Sequence, residues 1–144
     1  MTQTEFSTAT RPAPLWRRLG AAIYDALLLF GILFVAALPF TVVGGITYGD
    51  PRYPLLQFLL YAIVYVYFGW FWTHGGQTLG MKTWRVRLVP ARGARIDWLQ
   101  VTLRLTVALL SWAALGLGFW WSLVDRRGAT WHDLASGTRL VVDE

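Results

Sequence analysis

Two charged side chains stand alone in long apolar runs. Asp25 is the lone charge between Gly20 and Val43, and Arg104 is the lone charge between Trp98 and Val124. An ionisable residue at such a position costs a few kcal/mol on insertion scales and marks a functional site by default. A carboxylate there can take up and release a proton or a small cation, and a nearby guanidinium tunes it. Burying either charge alone costs more than burying both together, so the two are expected to pair across helices. Arg18 is the alternative partner, seven residues before Asp25 and on nearly the same helix face. Helical side chains lean toward the N-terminus, which carries Arg18 away from Asp25 and favours Arg104. Set against this is a plainer reading, in which Asp25 pairs with an arginine only to fix helix packing. Ala22 and Ala26 form a small-xxx-small pair beside Asp25, which lets another helix approach.

The other chemically suggestive stretch is Thr130-Trp131-His132-Asp133. A His-Asp pair can serve a metal or acid–base chemistry. The chain has only one other histidine, His74, and no cysteine, so no metal site is expected. Helix capping by Thr130 or Asp133 is the simpler role, with the carboxylate taking backbone N–H groups or an arginine. The expected arginine is Arg85, Arg87 or Arg95, with Asp125 as a second candidate carboxylate. Gly75-Gly76-Gln77-Thr78-Leu79-Gly80-Met81-Lys82 resembles a phosphate loop superficially, but it lacks the required order and no strand leads into it. Its glycines are expected to end a span and turn the chain. No Ser/His/Asp order suggests nucleophilic catalysis. No cofactor and no enzymatic activity are expected.

The elements that would hold these residues are membrane elements. Of 144 residues, 56% are hydrophobic and 15% charged, against about 25% charged in soluble domains. Nine Trp, six Tyr and eight Phe suit the bilayer interface. Gly20 to Val43 and Leu55 to Trp72 are each close to the ~20 residues that cross a bilayer. Pro39 is placed to kink the first. Residues 1–14 are polar and read as a disordered lead-in, which leaves a membrane domain over residues 15–142.

Between Thr73 and Asp97 lie Lys82, Arg85, Arg87, Arg92 and Arg95. The stretch from Thr83 to Val89 alternates polar with apolar from Trp84 to Leu88 and predicts a short strand, and Thr138 to Val142 matches it. The two are expected to pair, with a turn over Pro90 to Ala94. Arg11, Arg17 and Arg18 flank the first span, and Arg126, Arg127 and Arg139 follow the last apolar run, while the first loop has Arg52 alone. The positive-inside rule then puts the N-terminus and the second loop in the cytoplasm. Three full spans would throw the basic, strand-bearing tail outside. Trp98 to Val124 is therefore expected to bend between Ser111 and Gly118 as a hairpin or re-entrant piece, leaving both termini inside. A net charge of +5 reads as topology control by anionic headgroups, and no nucleic acid is expected. The expected fold is thus an all-α membrane protein with two clear transmembrane helices. A third bent or re-entrant segment and a small cytoplasmic β element complete it.

Three motifs, in order and separated by spans, carry a resemblance. They are Arg17-Arg18-Leu19-Gly20-Ala21-Ala22-Ile23-Tyr24-Asp25, Gly76-Gln77-Thr78-Leu79-Gly80-Met81-Lys82, and Trp131-His132-Asp133-Leu134-Ala135-Ser136-Gly137-Thr138. Together they resemble the RDD family of bacterial membrane proteins, named for one Arg and two Asp, over Leu15 to Val142. The resemblance places the family Arg at Arg18, its first Asp at Asp25 and its second at Asp133, with Asp125 as the other choice for the second. His132 belongs to the same motif. It implies a multi-pass protein of the bacterial cytoplasmic (inner) membrane. It also implies a transport role, since some members are linked to cation/proton antiport. Two spans cannot enclose a pathway, so a transport component would work as a homo-oligomer or with another membrane protein. The alternative is a non-catalytic assembly or recruitment subunit.

Overall fold

The computed structural model describes residues 11–92, 95–126 and 128–143. The expected lead-in up to Thr10, the turn residues Gly93 and Ala94, and the basic Arg127 lie outside the described residues.

Helix α1 spans Leu15–Leu38 and runs on as one π-helical turn over Pro39–Val43. Pro39 has no N–H for the α ladder. The chain widens there into a π turn, and Gly44 N–H reaches the Pro39 carbonyl at 3.0 Å. Helix α2 spans Tyr53–Thr73. These two helices are long and apolar enough to cross a membrane. Gly76, at φ +70°, ends α2 by donating its N–H to the Phe71 and Trp72 carbonyls. The expected glycine turn is therefore present. Helix α3 (Leu79–Thr83) starts at once, capped by Thr78, whose hydroxyl accepts from Met81 N–H at 3.2 Å.

Strand β1 (Val86–Pro90) pairs antiparallel with β2 (Thr138–Val142), with Leu88 opposite Leu140. The expected pairing is present, although β1 begins two residues later than the alternation predicts. Arg85 stands just before it at φ +51°, in the left-handed region. Residues 11–13, in the stretch read as a lead-in, lie along the other edge of β2. Ala13 N–H donates to Leu140 and Val142 N–H to Arg11, each at 3.0 Å.

Between the strands, α4 (Trp98–Ala113) and α5 (Leu117–Val124) meet at 98°. The break is the one expected within Ser111 to Gly118. Leu115 (φ +57°) and Gly116 (φ +76°) take left-handed backbone, and Gly116 N–H closes on the Ser111 carbonyl at 2.8 Å. A Cβ on Gly118 would stand 2.3 Å from Ser111 Oγ, so only glycine lets α5 fold back this far. Helix α6 (Trp131–Ser136) then leads into β2 through Gly137 in the left-handed region.

Val86, Leu88, Val101, Ile96, Met81, Trp72 and Leu140 form a buried core under the sheet. Burial of such side chains stabilises by about 1.5–3 kcal/mol each. The span helices bury little, and Ile23, Leu27, Phe30 and Phe34 stay exposed along α1. That is the surface a bilayer covers. The strand pairing also constrains topology. β1 and β2 are bonded to each other, so α4 and α5 must leave and return on one side. Reporters inserted between Ala91 and Arg95 and fused after Glu144 should therefore report the same side of the membrane. Opposite signals would show a full third span.

Candidate functional site

Helix α1 presents one buried stripe to the rest of the fold: Arg18, Ala21, Asp25 and Leu29. The spacing of three or four residues keeps them on one face. Arg18 leans toward the N-terminus, as its helix dictates, and reaches α6 and β2. Its Nε donates to the Ala13 carbonyl at 2.8 Å, its Nη2 to the Leu140 carbonyl at 3.4 Å, and its Nη1 to Asp133 Oδ2 at 2.9 Å.

Asp133 also takes a second arginine. Arg104 Nη1 donates to Asp133 Oδ1 and, at 3.0 Å, to Thr138 Oγ1. Arg104 lies over the Trp72 ring at 5.3 Å, within cation–π range. The side chains of Arg18 and Arg104 are each 3% exposed and that of Asp133 is fully buried. Asp133 further serves the capping box of α6, accepting from Thr130 N–H at 3.2 Å while Thr130 accepts from the Asp133 backbone. The capping role expected of this pair is present, and the same carboxylate also carries the two arginines. Ser136 and Thr138 hydroxyls lie 2.6 Å apart and enclose the cluster.

The expected Asp25–Arg104 pair does not form. Helix α6 stands beside α4 and brings Asp133 to Arg104, whereas Asp25 faces the start of α3. Asp25 is buried and accepts from three neutral donors: Thr78 Oγ1, Tyr67 Oη at 2.9 Å and Gly80 N–H at 2.9 Å. No ion pair to Asp25 forms among the described residues. The close approach on α1 is at Ala21, whose carbonyl would stand 2.4 Å from a Cβ on Gly80. It is not at Ala26, which is exposed. Nor does Asp133 meet the second-loop arginines. Arg87 bonds Asp143 at 3.0 Å, and Asp125 accepts from Ala129 N–H at 2.9 Å.

The three partners of Asp25 carried no signal of their role in the sequence. Tyr67 is one aromatic among many in α2. Thr78 and Gly80 stood in a recognisable motif, but nothing local says that they reach a carboxylate 53 and 55 positions away. Among the described residues no group of three or more His, Asp or Glu could hold a metal.

His132 packs against Phe119, its Nε2 lies 3.0 Å from Thr130 Oγ1, and its Nδ1 is buried without a hydrogen-bond partner. Burial, and then the Arg104 charge, push its pKa down to about 3. Burial alone would raise the Asp133 carboxyl, but the guanidiniums of Arg104 and Arg18 outweigh it and hold it at about 2.

The fold and this cluster define a small membrane protein. Its extramembrane cap is clasped to the first span by two arginines sharing one carboxylate. The RDD family model matches residues 12–137. The chain belongs to the RDD family. It is 33% identical over 135 residues to "Uncharacterized protein YckC" of Bacillus subtilis (strain 168), covering 89% of this chain and 83% of that protein. No solved structure matches the chain.

Two predictions follow from the clasp. Asp133→Asn leaves two buried guanidiniums facing each other, and should destabilise the detergent-solubilised protein by about 3–5 kcal/mol. Its effect should couple with Arg104→Gln, whereas Asp25→Asn and Arg104→Gln should add. Thermal melts of the single and double variants measure both, and coupling between Asp25 and Arg104 would contradict the geometry. The second concerns pH. Between its ordinary value of 6.5 and about 3, His132 takes a proton in the unfolded chain but not in the folded one. Stability should therefore fall as pH falls through that window, by at most about 1.4 kcal/mol per pH unit. Asp133 adds a further loss from 3.8 down to about 2. His132→Gln should flatten the upper part of the profile, and an unchanged slope would exclude His132 as its source.

Proposed function

We propose that this chain is a transport component that binds a proton or a small monovalent cation at Asp25 and works as a homo-oligomer. The observation that carries this is a buried carboxylate with no basic partner among the described residues. Such a charge costs free energy that a proton or small cation relieves. Its surroundings are oxygen-rich, with the Thr78 and Tyr67 hydroxyls at hand. Beyond it, Ala26 to Val43 gives about 27 Å of apolar helix at 1.5 Å per residue, close to the ~30 Å hydrocarbon core. Asp25 thus lies where α1 leaves the cap and enters lipid, an entrance rather than a midplane site.

The basic bias supports a cap on the cytoplasmic side of a bacterial inner membrane. Both of the reporters described above would then read cytoplasm. Oligomerisation is supported by the span helices, covered over only 6% and 17% of their most apolar stretches. The same exposed faces favour the second reading, a non-catalytic subunit that assembles with another membrane protein.

Reconstituted proteoliposomes decide between them. The native chain should dissipate an imposed proton or sodium gradient. Asp25→Asn, which keeps the shape of the side chain, should abolish that flux while eluting from size exclusion as the native protein does. Absence of flux from the native chain, or equal flux from Asp25→Asn, would overturn the transport reading in favour of assembly.

A further inference from the structure

On the cap, a cleft of about 550 Å³ opens among residues 12 and 18, the chain leaving β1, helix α6 and strand β2. Its volume falls within the ~300–1,000 Å³ of small-ligand sites. Three guanidiniums line it: Arg18, Arg92 and Arg139. Arg18 is buried in the floor, while Arg92 and Arg139 are exposed. Arg92 lies just past β1, and Arg139 sits on β2 opposite Val89.

Among the described residues, Asp133 supplies the only carboxylate in the lining of this cleft, and its oxygens are already engaged. Oδ1 takes Arg104, and Oδ2 takes Arg18 and the Thr130 N–H. Asp133 therefore leaves the clasp itself with one positive charge in excess, two guanidiniums against one carboxylate. It has nothing left for the rim. Among the described residues, neither Arg92 nor Arg139 makes an ion pair. The cleft is thus a concave cationic site, and two of its arginines have no ion-pair partner among the described residues.

We propose that this cleft binds a phosphate group. Guanidinium forks match phosphate oxygens in pairs and are weakly hydrated, which makes arginine the favoured partner for that anion. The cleft also lies at the end of α1 that precedes the apolar stretch, a position from which it would reach headgroups if α1 crosses the bilayer. The phosphate can come from an anionic phospholipid or from a free phosphate ester. This site is separate from Asp25, and neither reading depends on the other.

The test uses the full chain in a non-ionic detergent at constant ionic strength. Its Tm is followed while inorganic phosphate is added, and separately while phosphatidylglycerol is added with phosphatidylcholine as reference. A saturable rise in Tm is expected. Saturation with phosphate identifies free phosphate as sufficient. Saturation with phosphatidylglycerol alone identifies the lipid headgroup. In either case the double variant Arg92→Gln/Arg139→Gln should shift the midpoint at least about tenfold, since charge-assisted bonds to both rim arginines are lost. The variant Lys82→Gln/Arg85→Gln removes the same charge from exposed positions outside the cleft, and should leave the midpoint in place. No saturable rise with either probe, an unmoved midpoint in the rim variant, or equal shifts in both variants would overturn the proposal.

Discussion

Two guanidiniums share one carboxylate at the centre of this molecule, and most of the cap is arranged around that fact. Asp133 comes from α6, Arg18 from the first span and Arg104 from α4. Each residue belongs to a different stretch of chain, so the cluster ties three segments together at one point. Buried ion pairs seldom add much net stability, because desolvation offsets the attraction. Their effect is geometric: any arrangement that separates the partners leaves a bare charge in an apolar site. Here that penalty enforces one position of α6 against α1 and α4. The capping box of α6 and the hydroxyls of Ser136 and Thr138 satisfy the remaining polar atoms.

A second attachment, through neutral donors, lies two helical turns along α1. Asp25 holds Thr78 and the Gly80 N–H, and so fixes the start of α3 beside Ala21. Gly80 fits because any side chain would meet the Ala21 carbonyl. Tyr67 brings α2 to the same carboxylate. The two aspartates therefore divide the work by chemistry. One balances arginines and fixes the cap, while the other gathers hydroxyl and amide donors two turns further along α1. That division leaves Asp25 with an anionic group and no cation of its own among the described residues.

The bent α4–α5 unit follows from the same closure. Once β1 and β2 are bonded, the chain between them must return to its starting side. Two left-handed residues and a glycine packed on Ser111 accomplish the reversal. The cap core is packed, whereas the span helices keep most of their apolar surface outward. The molecule is thus a folded polar end carried on two sparsely packed membrane helices. A bilayer is the environment suited to such a surface.

Local pattern alone determined the two spans, the break in the third apolar run, the two short strands and the family. Each depends on periodicity, length or contiguous motifs, which neighbouring residues establish without help from the rest of the chain. The partner of each charge was different. Asp25 and Arg104 matched as lone opposite charges in apolar runs, and by that logic should have met. Arg104 instead found Asp133, 29 positions on, and Asp25 found Tyr67, Thr78 and Gly80. Sequence shows which groups must be satisfied once buried, but neutral donors can also bond a carboxylate, and many are available. Only the tertiary structure decided among them, because partner choice depends on which faces α1, α4 and α6 turn toward one another when the sheet closes.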